Sequence, residues 1–224
     1  MTPINGSIPI DFARQQFWLL PDRAVWWPAR STLIVTDLHF GKAASFRSVG
    51  VPVPAGATNK DLARLSSMIN QTGAQRLLLL GDFLHSRGGR HAEVFDAIAA
   101  WRAAQVHVPI RLVRGNHDHS AGRVPTEWNI EEVDEPHAED GIAFSHHPDC
   151  PGSEPTIAGH VHPVLSVQDY DGSQVSIPCF VLDQRCLILP AFGSFTGGHR
   201  MSRKPGRRLF MLAGGRVVAM RDGA

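Results

Sequence analysis

The sequence predicts an α/β fold, a four-layer α/β/β/α sandwich in which two packed mixed sheets are flanked by helices. Three observations lead to it. In the first half, apolar strand-like runs alternate with helical segments, the rhythm of a parallel sheet wound by right-handed crossovers. In the second half, short apolar runs separated by turn residues succeed one another, with no convincing helix after residue 130. The chain has 224 residues, 43% hydrophobic and 19% charged, which is enough to bury a core and reads as one domain over residues 1–224.

Taken in order, residues 17–20 and 24–27 read as strands around a Pro21-Asp22-Arg23 hairpin turn. Residues 31–36, rich in Thr, Leu, Ile and Val, form a buried strand that delivers Asp37 at its carboxyl end. A loop punctuated by Pro and Gly spans 50–56. A helix follows, with Thr58 as N-cap and Asp61 at the capping-box position. Leu62, Leu65, Met68 and Ile69 share its apolar face, and Gly73 ends it. Residues 76–80 are a strand running into Gly81-Asp82. Residues 91–105 form a helix with Val94, Phe95, Ile98 and Trp101 on one face, and 110–113 a strand leading to Gly115. Beyond it, 142–145, 156–158, 164–168, 175–180, 186–189, 209–212 and 217–220 are short strands, with hairpin turns at Asp171-Gly172 and Gly214-Gly215.

The formal charge is +1, so there is no global basic field; any nucleic-acid contact must come from a local patch. Cys150, Cys179 and Cys186 have no metal-type spacing, and an odd, sparse set fits a reducing compartment. No basic leader precedes an apolar run in residues 1–9, and runs such as 77–80 are too short to span a bilayer. The expectation is a cytoplasmic protein with no membrane association.

Five polar blocks stand directly after apolar stretches: Asp37-Leu38-His39, Gly81-Asp82, Gly115-Asn116-His117-Asp118, His146-His147 and Gly159-His160-Val161-His162. At the carboxyl ends of parallel strands, Asp37, Asp82 and Asn116 would share one edge of a sheet, where ligands bind in such folds. On an extended chain, residues i and i+2 point the same way, so Asp37 and His39 can face one cation, as can His160 and His162. Gly81 permits a tight turn, after which Asp82 can place one oxygen on each of two metals. Asn116 offers a neutral carbonyl oxygen. His117 can stay free as a general acid, with Asp118 holding its imidazole in the right tautomer. His146 and His147 face opposite ways on an extended chain, so one is expected to be a ligand and the other either to support the ligands or to face substrate. Taken alone, Gly81-Asp82 and the His pair read more readily as ordinary polar turns, Asp37-Leu38-His39 reads either way, and Gly115-Asn116-His117-Asp118 is the sharpest. The clustering carries the inference: seven of the twelve histidines (His39, His117, His119, His146, His147, His160 and His162) lie in or beside these blocks. A mixed O/N donor set without thiolates suits a pair of divalent transition metals, with Mn²⁺, Fe and Zn all accepted.

These blocks, in this order, resemble the signature of the calcineurin-like metallophosphoesterase superfamily: D-x-H, G-D, G-N-H-[DE], H and G-H-x-H. The resemblance implies the metallophosphoesterase sandwich and a pair of metals. One would be held by Asp37, His39, Asp82 and His162, the other by Asp82, Asn116, His146 and His160. The fourth block here reads His146-His147-Pro148 where relatives commonly carry His-Gly, and His146 is taken as the ligand. Over nearly the whole chain, the stretches 37–42, 81–87 and 190–198 further resemble the bacterial ligase-associated DNA damage response endonuclease family (PdeM-type). That resemblance implies a Mn-dependent phosphoesterase acting on DNA, in association with a DNA ligase, a helicase and a nuclease of a repair module.

The expected reaction is attack on a phosphodiester, single-stranded DNA among the candidates, by a hydroxide shared between two metals about 3.5–4 Å apart, with His117 protonating the leaving group. Lys42, Arg47, His85, Arg87 and His147 are candidates for contacts to substrate phosphates. Phe40, Phe46 and Phe83 could stack on bases, although core packing is their ordinary role. Arg200, Arg203, Lys204, Arg207 and Arg208 form a second basic stretch that reads first as a solvated loop. Two alternatives stay open on sequence alone: a phosphoesterase for a nucleotide, lipid precursor or other small phosphoester, and a non-catalytic scaffold.

Overall fold

The structure is a computed structural model and describes residues 4–221; the first three residues of the expected leader-free segment lie outside them. The first sheet contains β1 (Ile8–Phe12), β2 (Gln15–Leu20), β3 (Ala24–Trp27), β4 (Thr32–Val35), β5 (Arg76–Leu80), β6 (Ile110–Val113) and β7 (Ile130–Val133), in that spatial order. β1 to β4 form an antiparallel meander, and β4 to β7 run parallel. The crossovers carry α1 (Lys42–Ser48) and α2 (Ala57–Thr72) between β4 and β5, α3 (Ala92–Ala104) before β6, and α4 (Asn116–Ala121) after it.

The second sheet contains β8 (His137–Glu139), β9 (Ile142–Ser145), β10 (Thr156–Ala158), β11 (Pro163–Gln168), β12 (Gln174–Leu182), β13 (Cys186–Ile188), β14 (His199–Arg200), β15 (Arg208–Ala213) and β16 (Arg216–Ala219). β9, β10 and β13 are parallel to one another, and the remaining pairs are antiparallel except β11 with β14. The expected sandwich of two mixed sheets is therefore present.

Alternation of side chains divides the apolar residues between layers. On β12, Phe180 and Leu182 join Phe17, Trp27, Ile34 and Leu80 in the core between the sheets. Cys179 and Val181 of the same strand face outward, in a smaller cluster with Leu165, Ile188 and Leu209. Among the described residues all four α-helices pack on the outer face of the first sheet, so the helices are unevenly shared.

Short elements are what the sequence did not announce. α1 and α4 have seven and six residues, too few for a 3.6-residue period to be read. β7 reads Ile-Glu-Glu-Val because Glu131 and Glu132 pair with Arg111 and Arg114. The start of α2 is also corrected. Gly56, at φ 87°, is the N-cap rather than Thr58, and Asp61 faces a distant loop, where its Oδ2 accepts from Ser194 N–H (2.8 Å).

Candidate metal centre

The carboxyl ends of β4, β5 and β6 meet those of β9, β10 and β13 at one rim of the sandwich. The chain after β4 is zipped to the chain after β5. Asp37 N–H donates to the Gly81 carbonyl (3.1 Å), His39 N–H to the Asp82 carbonyl (2.8 Å) and Phe40 N–H to the Phe83 carbonyl (2.9 Å). From the other sheet, His160 N–H donates to Asp37 Oδ2 (3.0 Å), and the His146 ring sits against Asp82 and Asn116.

The expected i, i+2 geometry is corrected. Asp37, His39, Asp82, His160 and His162 all have φ between 48° and 67°, so the side chains converge through left-handed residues rather than through a pleat. Such conformations cost about 1–3 kcal/mol each for non-glycine residues and persist where surrounding structure enforces them. Two glycines make the approach possible. A Cβ on Gly159 would strike Thr36 Oγ1 and lie 2.7 Å from Asp37 Oδ2, and one on Gly81 would strike the His146 ring.

Two donor sets result. In the first, Asp37 Oδ1 lies 3.2 Å from His162 Nε2, His162 Nε2 lies 3.3 Å from His39 Nε2, and His39 Nε2 lies 3.6 Å from Asp82 Oδ2. In the second, His146 Nε2 lies 3.1 Å from Asn116 Oδ1, 3.1 Å from His160 Nδ1 and 3.4 Å from Asp82 Oδ2. Donors each about 2.1 Å from one cation stand about 3 Å apart at right angles, so these spacings need only small closure. Asp82 Oδ2 belongs to both sets. Its Oδ1 accepts from His117 N–H (2.9 Å), so Oδ2 is the Asp82 oxygen that faces both donor sets.

The electrostatics fit divalent cations. Asp37 Oδ1 is buried with no hydrogen-bond partner among the described residues, yet three imidazoles surround it. An unpartnered buried carboxylate oxygen is expensive unless positive charge reaches it. Burial pushes His39 down to about 3, against the pull of Asp82 and Asp37, which leaves a neutral imidazole with a free lone pair. Burial works to raise Asp82, but the hydrogen bond and charge of His146, with His39 and His117, hold it at about 2. His146 is disfavoured as a cation by burial, yet its hydrogen bond to Asp82 and the charges of Asp37 and Asp82 lift it to about 9. The two carboxylates thus draw positive charge into the cluster.

Of the adjacent pair, His146 is fully buried and its Nδ1 donates to the Leu80 carbonyl (3.0 Å), which aims Nε2 at the second donor set. His147 Nδ1 instead lies 2.6 Å from Glu135 Oε1, with its ring 4.3 Å from that of His160. The role expected of Asp118 is corrected. Its oxygens accept from Leu84 N–H and Gly115 N–H (both 3.0 Å), capping α4, and burial raises it to about 6. It is the His85 carbonyl that accepts from His117 Nδ1, at 2.6 Å.

Among the expected phosphate contacts, His85 stacks on His117 with centroids 4.8 Å apart, and burial with the charges of His117 and Lys42 pushes it down to about 4. Lys42 opens α1 next to His39; burial lowers its ammonium while Asp82 and Asp37 work to raise it. Arg87 is exposed and makes no ion pair among the described residues. Arg47 is corrected: its guanidinium is held by Glu93 and the Pro54 carbonyl. In the second basic stretch, Arg207 is held by Asp183 at 2.6 and 2.8 Å and Arg200 by Gln174 at 2.7 Å. Phe40 and Phe83 are buried and pack on each other.

Two supporting residues gave no signal in the sequence. Thr36 Oγ1 lies 2.8 Å from Asp37 Oδ2 and 2.7 Å from the Leu80 carbonyl. Glu135 Oε2 accepts from Ser145 Oγ–H (2.6 Å), His146 N–H (2.8 Å) and His147 N–H (2.9 Å). A lone Glu near a strand end has no motif; only the folding of the β7–β8 connection onto the end of β9 makes it an anchor.

Comparison with known proteins follows the same line. The calcineurin-like phosphoesterase family model matches residues 31–176. A nuclease of Pseudomonas putida, MPE, is 38% identical over 96% of this chain and 100% of its own, with a TM-score of 0.84. A phosphoesterase of E. coli, Yfce, is 14% identical over 84% of this chain and 96% of its own, at a TM-score of 0.40. A protein of unknown function from Aquifex aeolicus, AQ665, is 19% identical over 58% of this chain and 78% of its own, at 0.37. The search of curated proteins finds no match. With the family model covering well over half the chain and a full-length relative of that similarity, the protein belongs to the calcineurin-like phosphoesterase family and is a hydrolase of that kind.

Proposed function

We propose that the protein is a two-metal phosphodiesterase, a single domain that cleaves single-stranded DNA in a repair setting. The observation that carries this reading is Asp82 Oδ2, which faces two donor sets at once, 3.6 Å from His39 Nε2 and 3.4 Å from His146 Nε2. Asp37, His39, Asp82 and His162 would hold one cation, and Asp82, Asn116, His146 and His160 the other. When bound, a divalent pair neutralises phosphate oxygens and acidifies water near neutral pH. The resemblance to Mn-dependent phosphoesterases favours Mn²⁺, and Fe or Zn fit the same O/N donors.

The chain's own residues do the rest. His117 donates its Nδ1–H to the His85 carbonyl, which fixes the tautomer and turns Nε2 toward the site, 4.0 Å from Asp82 Oδ2. Protonated there, it delivers a proton to the departing alkoxide, a role that contributes about 10²–10⁴-fold. Asp118 supports that step by capping α4 and so fixing the backbone that carries His117. Lys42, His85 and His147 border the donor sets and take phosphate oxygens, with exposed Arg87 on the same connection as His85 a further candidate.

A DNA substrate is supported by the 38% identity with the Pseudomonas putida nuclease over 96% of the chain. It is also supported by the resemblance to ligase-associated repair endonucleases, which supports a role beside a ligase, a helicase and a nuclease as well. The free thiols Cys150, Cys179 and Cys186 fit a cytoplasmic setting, and no helix among the described residues is long and apolar enough to cross a membrane.

The test is turnover with added Mn²⁺ on single-stranded DNA, duplex DNA, bis-p-nitrophenyl phosphate and p-nitrophenyl phosphate, beside an Asp82→Ala control. Diester and single-strand cleavage that Asp82→Ala abolishes is the expected result. Faster turnover of the monoester, or an active Asp82→Ala, would refute the proposal.

A further inference from the structure

Two large aromatic side chains stand exposed beside the metal centre, Phe46 at 38% and Phe195 at 36%. Their rings meet edge to face, with centroids 5.6 Å apart. The backbone on both sides of Phe195 is pinned. Ser194 N–H and Oγ–H donate to the buried Asp61 Oδ2 at 2.8 and 3.1 Å, and the Gly197 carbonyl lies 3.2 Å from Nδ1 of His162. Phe46 rides on the last turns of α1, the helix that Lys42 opens. Phe195 borders a small, water-sized recess that His39, Lys42, Thr58 and Asp61 also line.

Exposed rings on a fixed backbone lose little side-chain entropy when they stack on a ligand. Core packing does not explain them: Phe40 and Phe83 fill the core beneath, at 2% and 0% exposure, while Phe46 and Phe195 do not. Phe46 shares a short helix with Lys42, and the Phe195 loop abuts the donor residue His162, so a strand whose phosphate is held at the donor sets brings a neighbouring base to these rings. A paired base has its faces covered by its neighbours in the stack; an unpaired base offers one.

We propose that Phe46 and Phe195 form a stacking platform for an unpaired nucleobase next to the scissile phosphate, and that this platform selects single-stranded over duplex DNA. The inference rests on the phosphodiesterase reading above. It accounts for specificity without base-edge hydrogen bonds, since every base has a face to stack.

The experiment compares an oligothymidylate with an all-abasic strand of the same length, on wild type, Phe195→Ala, Phe46→Ala, Phe195→Trp and Phe195→Leu. KM is independent of the folded fraction, and the ratio of the two KM values on one variant is an internal control. The wild-type KM should be lower for the strand with bases by about 5- to 150-fold, the range base–aromatic stacking supplies. Phe195→Ala and Phe46→Ala should erase most of that ratio, with Phe195→Trp keeping it and Phe195→Leu not. An unchanged ratio in Phe195→Ala, or equal rescue by Leu and Trp, would overturn the platform and leave the nuclease reading standing. Wild type that hydrolyses bis-p-nitrophenyl phosphate but neither strand would overturn the nuclease reading itself, and the platform with it.

Discussion

Replacing Glu135 by alanine removes the single carboxylate on which the His146-His147 block hangs. Its Oε2 takes three hydrogens, from Ser145 Oγ and the backbone nitrogens of His146 and His147, and its Oε1 faces His147 Nδ1 at 2.6 Å. Hydrogen bonds to a charged acceptor contribute about 1.5–3 kcal/mol each, and a buried N–H left without an acceptor costs about 1–3 kcal/mol. The Glu135 side chain is 22% exposed, so water replaces part of what is lost. The net expectation is about 2–4 kcal/mol of stability, less than the sum because the bonds share one group. The sharper effect falls on metal binding. The His146 ring is aimed by its Nδ1–H to Leu80, but its backbone is held by Glu135, so loosening it should weaken the second cation by about 10–100-fold. Calorimetric titration of Mn²⁺ into folded Glu135→Ala at low temperature reads this directly. Glu135→Gln, which keeps one oxygen for the three donors, should fall between. An unchanged Mn²⁺ affinity in Glu135→Ala would refute the reasoning, because Glu135 would then be holding a loop rather than a ligand.

Other outcomes follow from the same geometry. Gly159→Ala places a Cβ against Thr36 Oγ1 and Asp37 Oδ2; overpacking of this kind costs about 1–3 kcal/mol, and turnover should drop with a lowered thermal midpoint. A variant with wild-type activity would show that the approach is looser than it looks. His117→Ala should lower kcat by about 10²–10⁴-fold on a diester with a poor leaving group and far less on bis-p-nitrophenyl phosphate, whose leaving group needs little protonation; equal losses on both would point to a positioning role. Lys42→Ala should raise KM for DNA, whereas Arg47→Ala should not, because Arg47 is already held by Glu93; steady-state kinetics at fixed salt separates the two. Removing divalent ions with chelator should abolish turnover, and Mn²⁺ should restore it; activity that survives exhaustive chelation would contradict the donor-set reading.

Much of this molecule was legible in the sequence because it is written in periodicity and in strand-end motifs. β5, β6, β9 and β10 span the apolar runs expected for them, since a short buried strand is bounded by turn residues on both sides. The five polar blocks stand at strand ends and converge, as their placement predicted. What could not be read was geometry inside the blocks. Left-handed backbone at Asp37, His39 and Asp82 has no signature in residues that usually avoid it. The Asp118 that caps α4 looks, in sequence, like a partner for the imidazole of its neighbour His117.

Residue order alone supplies the chemistry on offer: carboxylates, an amide and imidazoles, placed after the carboxyl ends of strands. Residue type and local order are one-dimensional facts, and they suffice to name donors. Packing in three dimensions set which donors face one another, turned one Asp82 oxygen to both sets while the other is spent on His117 N–H, and braced the donor residues on Glu135 and Thr36. Those relations join residues many positions apart, and they are fixed by how two sheets close on one another, a packing outcome that no local pattern encodes.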